Sequence, residues 1–313
     1  MTSIIPVANL EHTAILFGIV LAIGIAVGKA KLLTKEAKSG MTNLVLYVTL
    51  PCLIVTSFDV AYDPALLKGL GFTLLFALIS QTFGQVFGLV FFRKEPFERR
   101  SVFRYGLIVA NSAFFGIPVL QTLFGTMVLP FGAVYLIPQR IAMWTLGVPC
   151  FTNETDKKAR RLTVAKTFVH PAMLAVYIGL ALLLTETALP ANVADPISAI
   201  GSSTMPITMI LIGSIIVELK PSMLIDKQLY VYCAIRLLLM PGLIFLLCLL
   251  FGQTGMVLQV CVLMAGMPTA TTTSLLALRY GANEVLGSTQ IIISTIFFFA
   301  LLPFWFTMFG LVA

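Results

Sequence analysis

Apolar runs of about 20 residues recur along the whole chain, and each is long enough to cross a bilayer as a helix. Of the 313 residues, 59% are hydrophobic and only 11% are charged, which is too few charges for the surface of a soluble protein. The apolar surface must therefore face lipid, where backbone groups have to bond within the chain. The runs lack period-2 alternation, so the sequence predicts a polytopic all-α membrane protein rather than a barrel.

Sliding windows of about 19 residues predict ten spans. No Lys or Arg precedes the first span, so we expect it to be retained rather than removed as a signal peptide. The predicted spans are residues 12–29, 41–58, 66–92, 102–125, 128–150, 166–185, 194–217, 228–251, 256–279 and 285–310.

Basic residues cluster after every odd-numbered span, whereas the other connections are mainly acidic. The positive-inside rule places the basic connections in the cytoplasm and both termini on the non-cytoplasmic side of the cell membrane. The net charge of +7 is then explained by topology rather than by a nucleic-acid partner. The clusters are Lys29, Lys31, Lys35 and Lys38; Arg93, Lys94, Arg99, Arg100 and Arg104; Lys157, Lys158, Arg160, Arg161 and Lys166; Lys220 and Lys227; and Arg279.

Two short motifs occur twice. "TLP" at Thr49–Pro51 recurs as "TMP" at Thr204–Pro206, and "GIP" at Gly116–Pro118 recurs as "GMP" at Gly266–Pro268. Each copy lies five spans from its partner, so the second half of the chain begins on the opposite side of the membrane. The sequence therefore predicts two inverted repeats, an architecture typical of secondary transporters.

The predicted halves are residues 1–151 and 166–313, joined by a cytoplasmic linker of residues 152–165. Proline removes a helical hydrogen bond and glycine relaxes the backbone. The two Gly-x-Pro motifs therefore predict interruptions of spans 4 and 9, near residues 114–118 and 265–269, that cross each other at mid-membrane.

A broken helix presents backbone N–H groups and the positive end of a dipole, which favour an anion. We therefore expect the polar residues near both interruptions to line one substrate cavity. The alternative is that these small polar residues mediate helix packing. The candidate substrate-binding residues are Asn111, Ser112, Gly116, Pro118, Gln139, Arg140, Pro268, Thr269, Thr271 and Thr272.

Two arginines lie inside predicted spans and away from the span ends. Arg140 falls near the middle of span 5, where a charge costs about 2.5 to 3.5 kcal/mol on insertion scales and no Asp or Glu lies at comparable depth. An unpaired cation there favours an anionic substrate, although pairing with backbone carbonyls at a helix break is the alternative. Arg236 lies closer to the cytoplasmic face, and we expect its side chain to extend to the membrane surface.

The run "NSAFFGIPVL" at residues 111–120, the "LP" of Leu50-Pro51 and "GMPTATTTSLLALRYGA" at 266–282 resemble the auxin efflux carrier family. This family includes bacterial carboxylate permeases and plant PIN-FORMED carriers, and its fold is similar to that of bile acid transporters. The resemblance implies a homodimer of ten-helix chains with crossover prolines Pro118 and Pro268. It also implies an elevator in which spans 3–5 and 8–10 move against a scaffold of spans 1, 2, 6 and 7, with Asn111 near the substrate carboxylate.

Two departures from the plant members narrow what the resemblance implies. Span 3 offers Ser80, Gln81 and Gln85 where plant carriers have an acidic residue, so auxin is not implied as substrate. The long hydrophilic centre of many plant members is reduced to about 15 residues around the predicted linker, as in the compact bacterial members.

The sequence predicts a transporter of a small organic anion, without a cofactor or a metal. No catalytic nucleophile set or Cys/His metal spacing is seen, which argues against an enzyme. No Asp or Glu lies in the middle of a predicted span, which disfavours a sodium site or an acidic proton relay. A cation/proton antiporter and a receptor that keeps the fold without transport are the remaining alternatives.

Overall fold

The computed structural model describes residues 7–58, 63–151, 169–217 and 225–312. Within these ranges the regular structure is helical, apart from one isolated antiparallel bridge between Ala110 and Thr269, so the all-α class is confirmed for them. The predicted linker 152–165, with its basic cluster up to Lys166, and Lys220 lie outside the described residues. The α-helices are α1 (Val7–Lys29), α2 (Lys35–Leu44), α3 (Leu50–Ser57), α4 (Pro64–Phe91), α5 (Phe97–Ile108), α6 (Ile117–Phe124), α7 (Leu129–Ala142), α8 (Pro171–Leu184), α9 (Ala191–Ser202), α10 (Thr204–Ile216), α11 (Lys227–Ala234), α12 (Met240–Leu250), α13 (Gly255–Ala265), α14 (Thr272–Arg279) and α15 (Glu284–Gly310).

Six helical stretches in the described residues are long and apolar enough to cross a membrane. Four shorter apolar helices lie between them, and each of the ten predicted spans overlaps one of these segments. The protein is thus a multi-pass membrane protein, and the number of crossings stays a prediction. The six are Glu36–Ser57, Pro64–Phe91, Thr126–Cys150, Ala191–Ile216, Lys227–Leu250 and Glu284–Gly310; the four are Gly18–Lys29, Ser112–Phe124, Pro171–Leu184 and Gly255–Ala265.

Helix starts follow from local capping chemistry. The Asp63 carboxylate accepts a hydrogen bond from the backbone N–H of Ala65, and Pro64 opens α4 at a position that needs no N–H donor. Asn283 caps α15 in the same way through the backbone N–H of Leu286. Because both caps stand at the ends of long apolar runs, they fix where two of the spanning helices begin.

The helices pack as two groups. In the first group α1 packs against α10, and α3 packs against α8 and α9. In the second, α4 packs against α5 and α7, α6 against α7, α12 against α13, and α14 against α15. Contacts between the groups are fewer, and they include α3 with α7 and α10 with α6.

Glycines allow the closest approach within the first group. A Cβ atom on Gly24 would lie 2.6 Å from the backbone oxygen of Ile210, and one on Gly213 would lie 2.5 Å from that of Leu21. Any side chain at these positions would therefore push α1 and α10 apart, so small residues set the helix spacing as they do in membrane proteins generally.

The repeated Thr-x-Pro motifs meet in the structure. The hydroxyl groups of Thr49 and Thr204 are hydrogen-bonded to each other at 2.9 Å, and both side chains are buried. These residues occupy the same position in their motifs and are 155 residues apart. Corresponding positions of the two motifs are therefore in direct contact here.

Four π-helical segments precede prolines. Val45–Thr49, Ser112–Gly116, Met143–Gly147 and Ile235–Leu239 are each followed by one residue and then a proline, namely Pro51, Pro118, Pro149 and Pro241. Proline lacks the N–H donor and its ring clashes with the carbonyl one turn earlier. A wider π turn before the proline relieves that clash and keeps the helix continuous. Pro138, Pro196 and Pro303 lie inside helices without such a segment.

Candidate functional site

Two helix interruptions meet at one point. Residues 109–111 separate α5 from the π-helical segment Ser112–Gly116, and residues 266–271 separate α13 from α14. The Asn111 N–H donates to the Pro268 carbonyl at 2.8 Å, and the Ala270 N–H donates to the Val109 carbonyl at 3.3 Å. The two unwound segments thus pair some of each other's backbone N–H and C=O groups. This pairing lowers the cost of interrupting two helices inside an apolar protein.

The position of the first interruption was predicted wrongly. Residues 114–118 were expected to be unwound, but the chain is helical there, and Pro118 lies in the first turn of α6. The π turn accommodates Pro118, so the break falls earlier, before Ser112. The second interruption lies where "GMP" predicted it. The two Gly-x-Pro motifs therefore differ in structure, because Gly116–Pro118 is helical and Gly266–Pro268 lies within an interruption.

Gly116 serves close packing rather than unwinding. A Cβ atom on it would lie 2.9 Å from Met264 Sδ and 3.2 Å from Met267 Cγ. The glycine therefore lets the segment after the first interruption rest directly on the residues around the second.

A cavity of about 40 Å³ lies against both interruptions. By volume it holds about three water molecules, far less than a typical ligand pocket. Leu46, from the first group of helices, closes one side, and the remaining lining residues belong to the second group. The lining residues are Leu46, Val109, Ala110, Asn111, Ala113, Phe114, Gln139, Arg140, Met143, Ala270, Thr271 and Thr272.

Three polar side chains of this cavity have unused hydrogen-bonding capacity among the described residues. Nη2 of Arg140 and Oε1 of Gln139 are both inaccessible and have no partner. Gln139 Nε2 donates to the carbonyl of Ala110, which fixes this side chain against the first interruption. The Asn111 side chain is 5% exposed and makes no hydrogen bond within the described part of the chain. Buried polar groups are normally paired, so these three side chains keep hydrogen-bonding capacity that the described protein residues do not use.

Of the remaining predicted substrate-binding residues, some line the cavity and the others lie outside its lining. Thr271 and Thr272 line the cavity, and the Thr272 hydroxyl is hydrogen-bonded to Tyr105 at 2.8 Å. Thr271 and Asn111 also face a smaller cavity of about 10 Å³ beside α10. Ser112, Gly116, Pro118, Pro268 and Thr269 do not line the main cavity.

The chain matches the family model described as "Membrane transport protein" over residues 10–306, nearly its whole length. It belongs to the auxin efflux carrier family of membrane transporters. A comparison with curated proteins gives no match. Family membership indicates membrane transport as the class of function.

Arg236 of this auxin efflux carrier family member does not extend to the membrane surface, contrary to the sequence expectation. Its side chain is 3% exposed and donates from Nε to the Met267 carbonyl and from Nη1 to the Leu107 carbonyl, both at 2.9 Å. The expectation did not take into account the two carbonyls beside the interruptions, which accept hydrogen bonds from the guanidinium inside the protein. Pairing with backbone carbonyls at a helix break, the alternative raised for Arg140, is thus what Arg236 does.

Two tyrosines escaped the sequence analysis because nothing in their local sequence distinguishes them from core residues. Tyr105 holds Thr272 at the cavity edge. Tyr232 donates to the Gly106 carbonyl at 2.9 Å and shares a 2.7 Å hydrogen bond with the Thr269 hydroxyl. Tyr105 thus connects α5 to the start of α14, and Tyr232 connects α5 to the second interruption itself.

The glutamines of α4 form a different environment. Gln81 and Gln85 line a separate cavity of about 370 Å³ with Leu78, Pro138 and Ile141. They do not join Asn111 or Arg140, so the position that is acidic in plant carriers contributes no group to the cavity at the interruptions.

Proposed function

We propose that this transporter carries small organic anions, carboxylates in particular, and binds them in the cavity at the two interruptions. The observation that carries the proposal is the buried, unpartnered Nη2 of Arg140 beside Asn111 and Gln139. The chain has no Asp or Glu between Glu98 and Glu154 or between Asp226 and Glu284, the stretches that supply nearly all of the cavity. A cation, two amides and no carboxylate favour an anionic substrate.

The segments that begin after the interruptions add to this preference. Ser112 and Thr272 each start a helical segment beside the cavity. Their first N–H groups have no partner within the helix, and they carry the positive end of the helix dipole. A carboxylate can therefore accept hydrogen bonds from Arg140 and Asn111 while it faces these helix starts.

An elevator mechanism is supported by where the cavity lies. Leu46 belongs to the predicted scaffold, whereas the residues around Asn111, Arg140 and Thr271 belong to the predicted transport domain. The cavity is thus at the boundary between the two groups of helices. A movement of one group against the other would open it and allow a substrate larger than three waters to enter. The contact of Thr49 with Thr204 supports the inverted repeats, and the ten crossings with both termini outside the cytoplasm complete the proposed topology.

Transport of a carboxylate is the direct test. We expect at least one mono- or dicarboxylate to raise the melting temperature of the purified protein, because a ligand at 100 times its Kd adds about 2.7 kcal/mol to stability. The same compound, labelled, should accumulate in liposomes containing the protein and not in empty liposomes. The amine analogues of the same carbon skeleton should have no effect.

Each alternative predicts another result. Stabilisation by a carboxylate with no flux would indicate a receptor. Exchange of cations for protons, with no response to any anion, would indicate an antiporter and contradict the proposal.

We also expect a homodimer built on the first group of helices, with each substrate cavity away from the interface. Crosslinking of the protein in lipid vesicles should then give a dimer band whose yield does not fall when protein is diluted with lipid. A product that is monomeric at every crosslinker concentration would contradict this assembly.

A further inference from the structure

Arg236 links the ends of the two helices that stop at the interruptions. It lies in the π-helical segment Ile235–Leu239, and its two oxygen acceptors are the carbonyls of Leu107 and Met267. Leu107 is in the last turn of α5, and Met267 follows the end of α13. Carbonyls at helix C-termini lack helical partners and carry the negative end of the dipole, so they attract a cation.

Hydroxyl groups are bonded to Gly106 and Thr269, which lie one and two residues from these carbonyl acceptors. The Tyr232 hydroxyl bonds to the Gly106 carbonyl and to Thr269, and the Ser294 hydroxyl lies 3.2 Å from that of Thr269. Both amide atoms of Gln290, Oε1 and Nε2, are buried without a partner among the described residues, and a Cβ atom on Gly106 would overlap Nε2 of this amide. Carbonyl, hydroxyl and amide oxygens are the ligands of hard cations such as Na⁺.

In transporters with discontinuous helices, C-terminal helix ends and unwound carbonyls coordinate the coupling ion. We propose that the guanidinium of Arg236 is a permanent cation at this position. It takes the place of a sodium ion, so the carrier needs no sodium to hold the two interrupted helices together. The guanidinium is always charged and is tethered to α11 and α12 through its own helix. A second cation on the same two carbonyls would meet direct repulsion. The part of this inference that concerns transport rests on the proposed function. The part that concerns which ion stabilises the two interrupted helices does not.

Stability in different salts tests the ion preference without any substrate. The melting temperature of the wild-type protein should be the same in sodium, potassium and choline chloride at equal ionic strength. Arg236→Ala should melt at a lower temperature, and millimolar methylguanidinium chloride should recover part of the loss by filling the vacated place. Arg279→Ala removes an exposed cation of α14 and is the matched control, for which no recovery is expected.

A conservative variant covers the case in which Arg236→Ala does not fold. Arg236→Lys keeps a cation but has a single nitrogen in place of the planar fork, so it should fold, melt below wild type and remain indifferent to sodium. A rise in the wild-type melting temperature specific to Na⁺ would overturn the proposal. So would an Arg236→Ala or Arg236→Lys protein as stable as wild type, or an Arg236→Ala protein that methylguanidinium does not stabilise beyond the control.

Uptake measurements extend the test to transport. Replacing external sodium by choline should leave the initial rate of carboxylate uptake unchanged, and uptake that stops without sodium would overturn the inference. The two proposals fail separately: a sodium-specific melting shift leaves the anion site standing, whereas transport unaffected by loss of Arg140 leaves the melting results for Arg236 intact.

Discussion

Arg140→Ala is expected to weaken binding of the transported carboxylate by about 10- to 150-fold, with the protein still folded. Loss of a hydrogen bond to a charged group costs roughly 1.5 to 3 kcal/mol, which corresponds to that range. Loss of Nη2 of Arg140 leaves no protein group unpaired, because this atom has no partner in the described residues. The substitution should therefore affect binding rather than folding. Binding is measured by titrated thermal shift and transport by the concentration dependence of uptake.

The companion variants separate charge from geometry. Arg140→Lys should restore little, because an ammonium cannot replace the two parallel donors of a guanidinium. Asn111→Ala removes a neutral donor and should cost less than Arg140→Ala. Arg279→Ala, which removes an exposed charge away from the cavity, should bind and transport as wild type does. An Arg140→Ala protein with unchanged apparent affinity would make Arg140 a structural residue.

Gly84→Ala is expected to be among the most destabilising small substitutions in the chain. A Cβ atom on Gly84 would overlap the carbonyl oxygen of Leu107, which is one of the two carbonyl acceptors of Arg236. Overpacking costs about 1 to 3 kcal/mol. A displaced Leu107 carbonyl would also lose its bond to the guanidinium, which adds roughly 1.5 to 3 kcal/mol. The melting temperature in detergent should therefore fall by many degrees.

The control for this substitution is in the same helix. Gly71, also in α4, has no atom within 4 Å of where its Cβ would be. Gly71→Ala should be neutral or slightly stabilising, because alanine is the better helix former by about 1 kcal/mol. Equal melting temperatures for the two variants would show that α4 and α5 are not as close as the structure places them.

The helical segments were predictable from the sequence because lipid leaves the backbone few choices. Apolar runs without charge have to bond internally, so each run becomes a helix almost regardless of its detailed composition. The spacing of polar residues within those runs also predicted part of the cavity, since Asn111, Gln139, Arg140, Thr271 and Thr272 do line it. Their binding of substrate stays a prediction.

Details that depend on distant partners were not predictable. The first interruption lies at residues 109–111 because the Asn111 N–H donates to the carbonyl of Pro268, a contact across more than 150 residues. The role of Arg236 depends likewise on carbonyls that become free only once the helices are broken. Local propensity placed the break at Pro118, but a single extra residue in the preceding turn makes that proline acceptable.

The four π turns have a consequence for how related chains differ in length. Three of them supply the wall of the cavity, through Leu46, Ala113 with Phe114, and Met143. Each π turn is in effect a one-residue insertion that the following proline makes necessary. Deleting that residue while keeping the proline would restore the clash, and losing the proline alone would leave a surplus residue. In an alignment, a related chain that lacks one residue in a π turn should therefore also lack the proline that follows that turn. The extra residue and the proline should be gained or lost together.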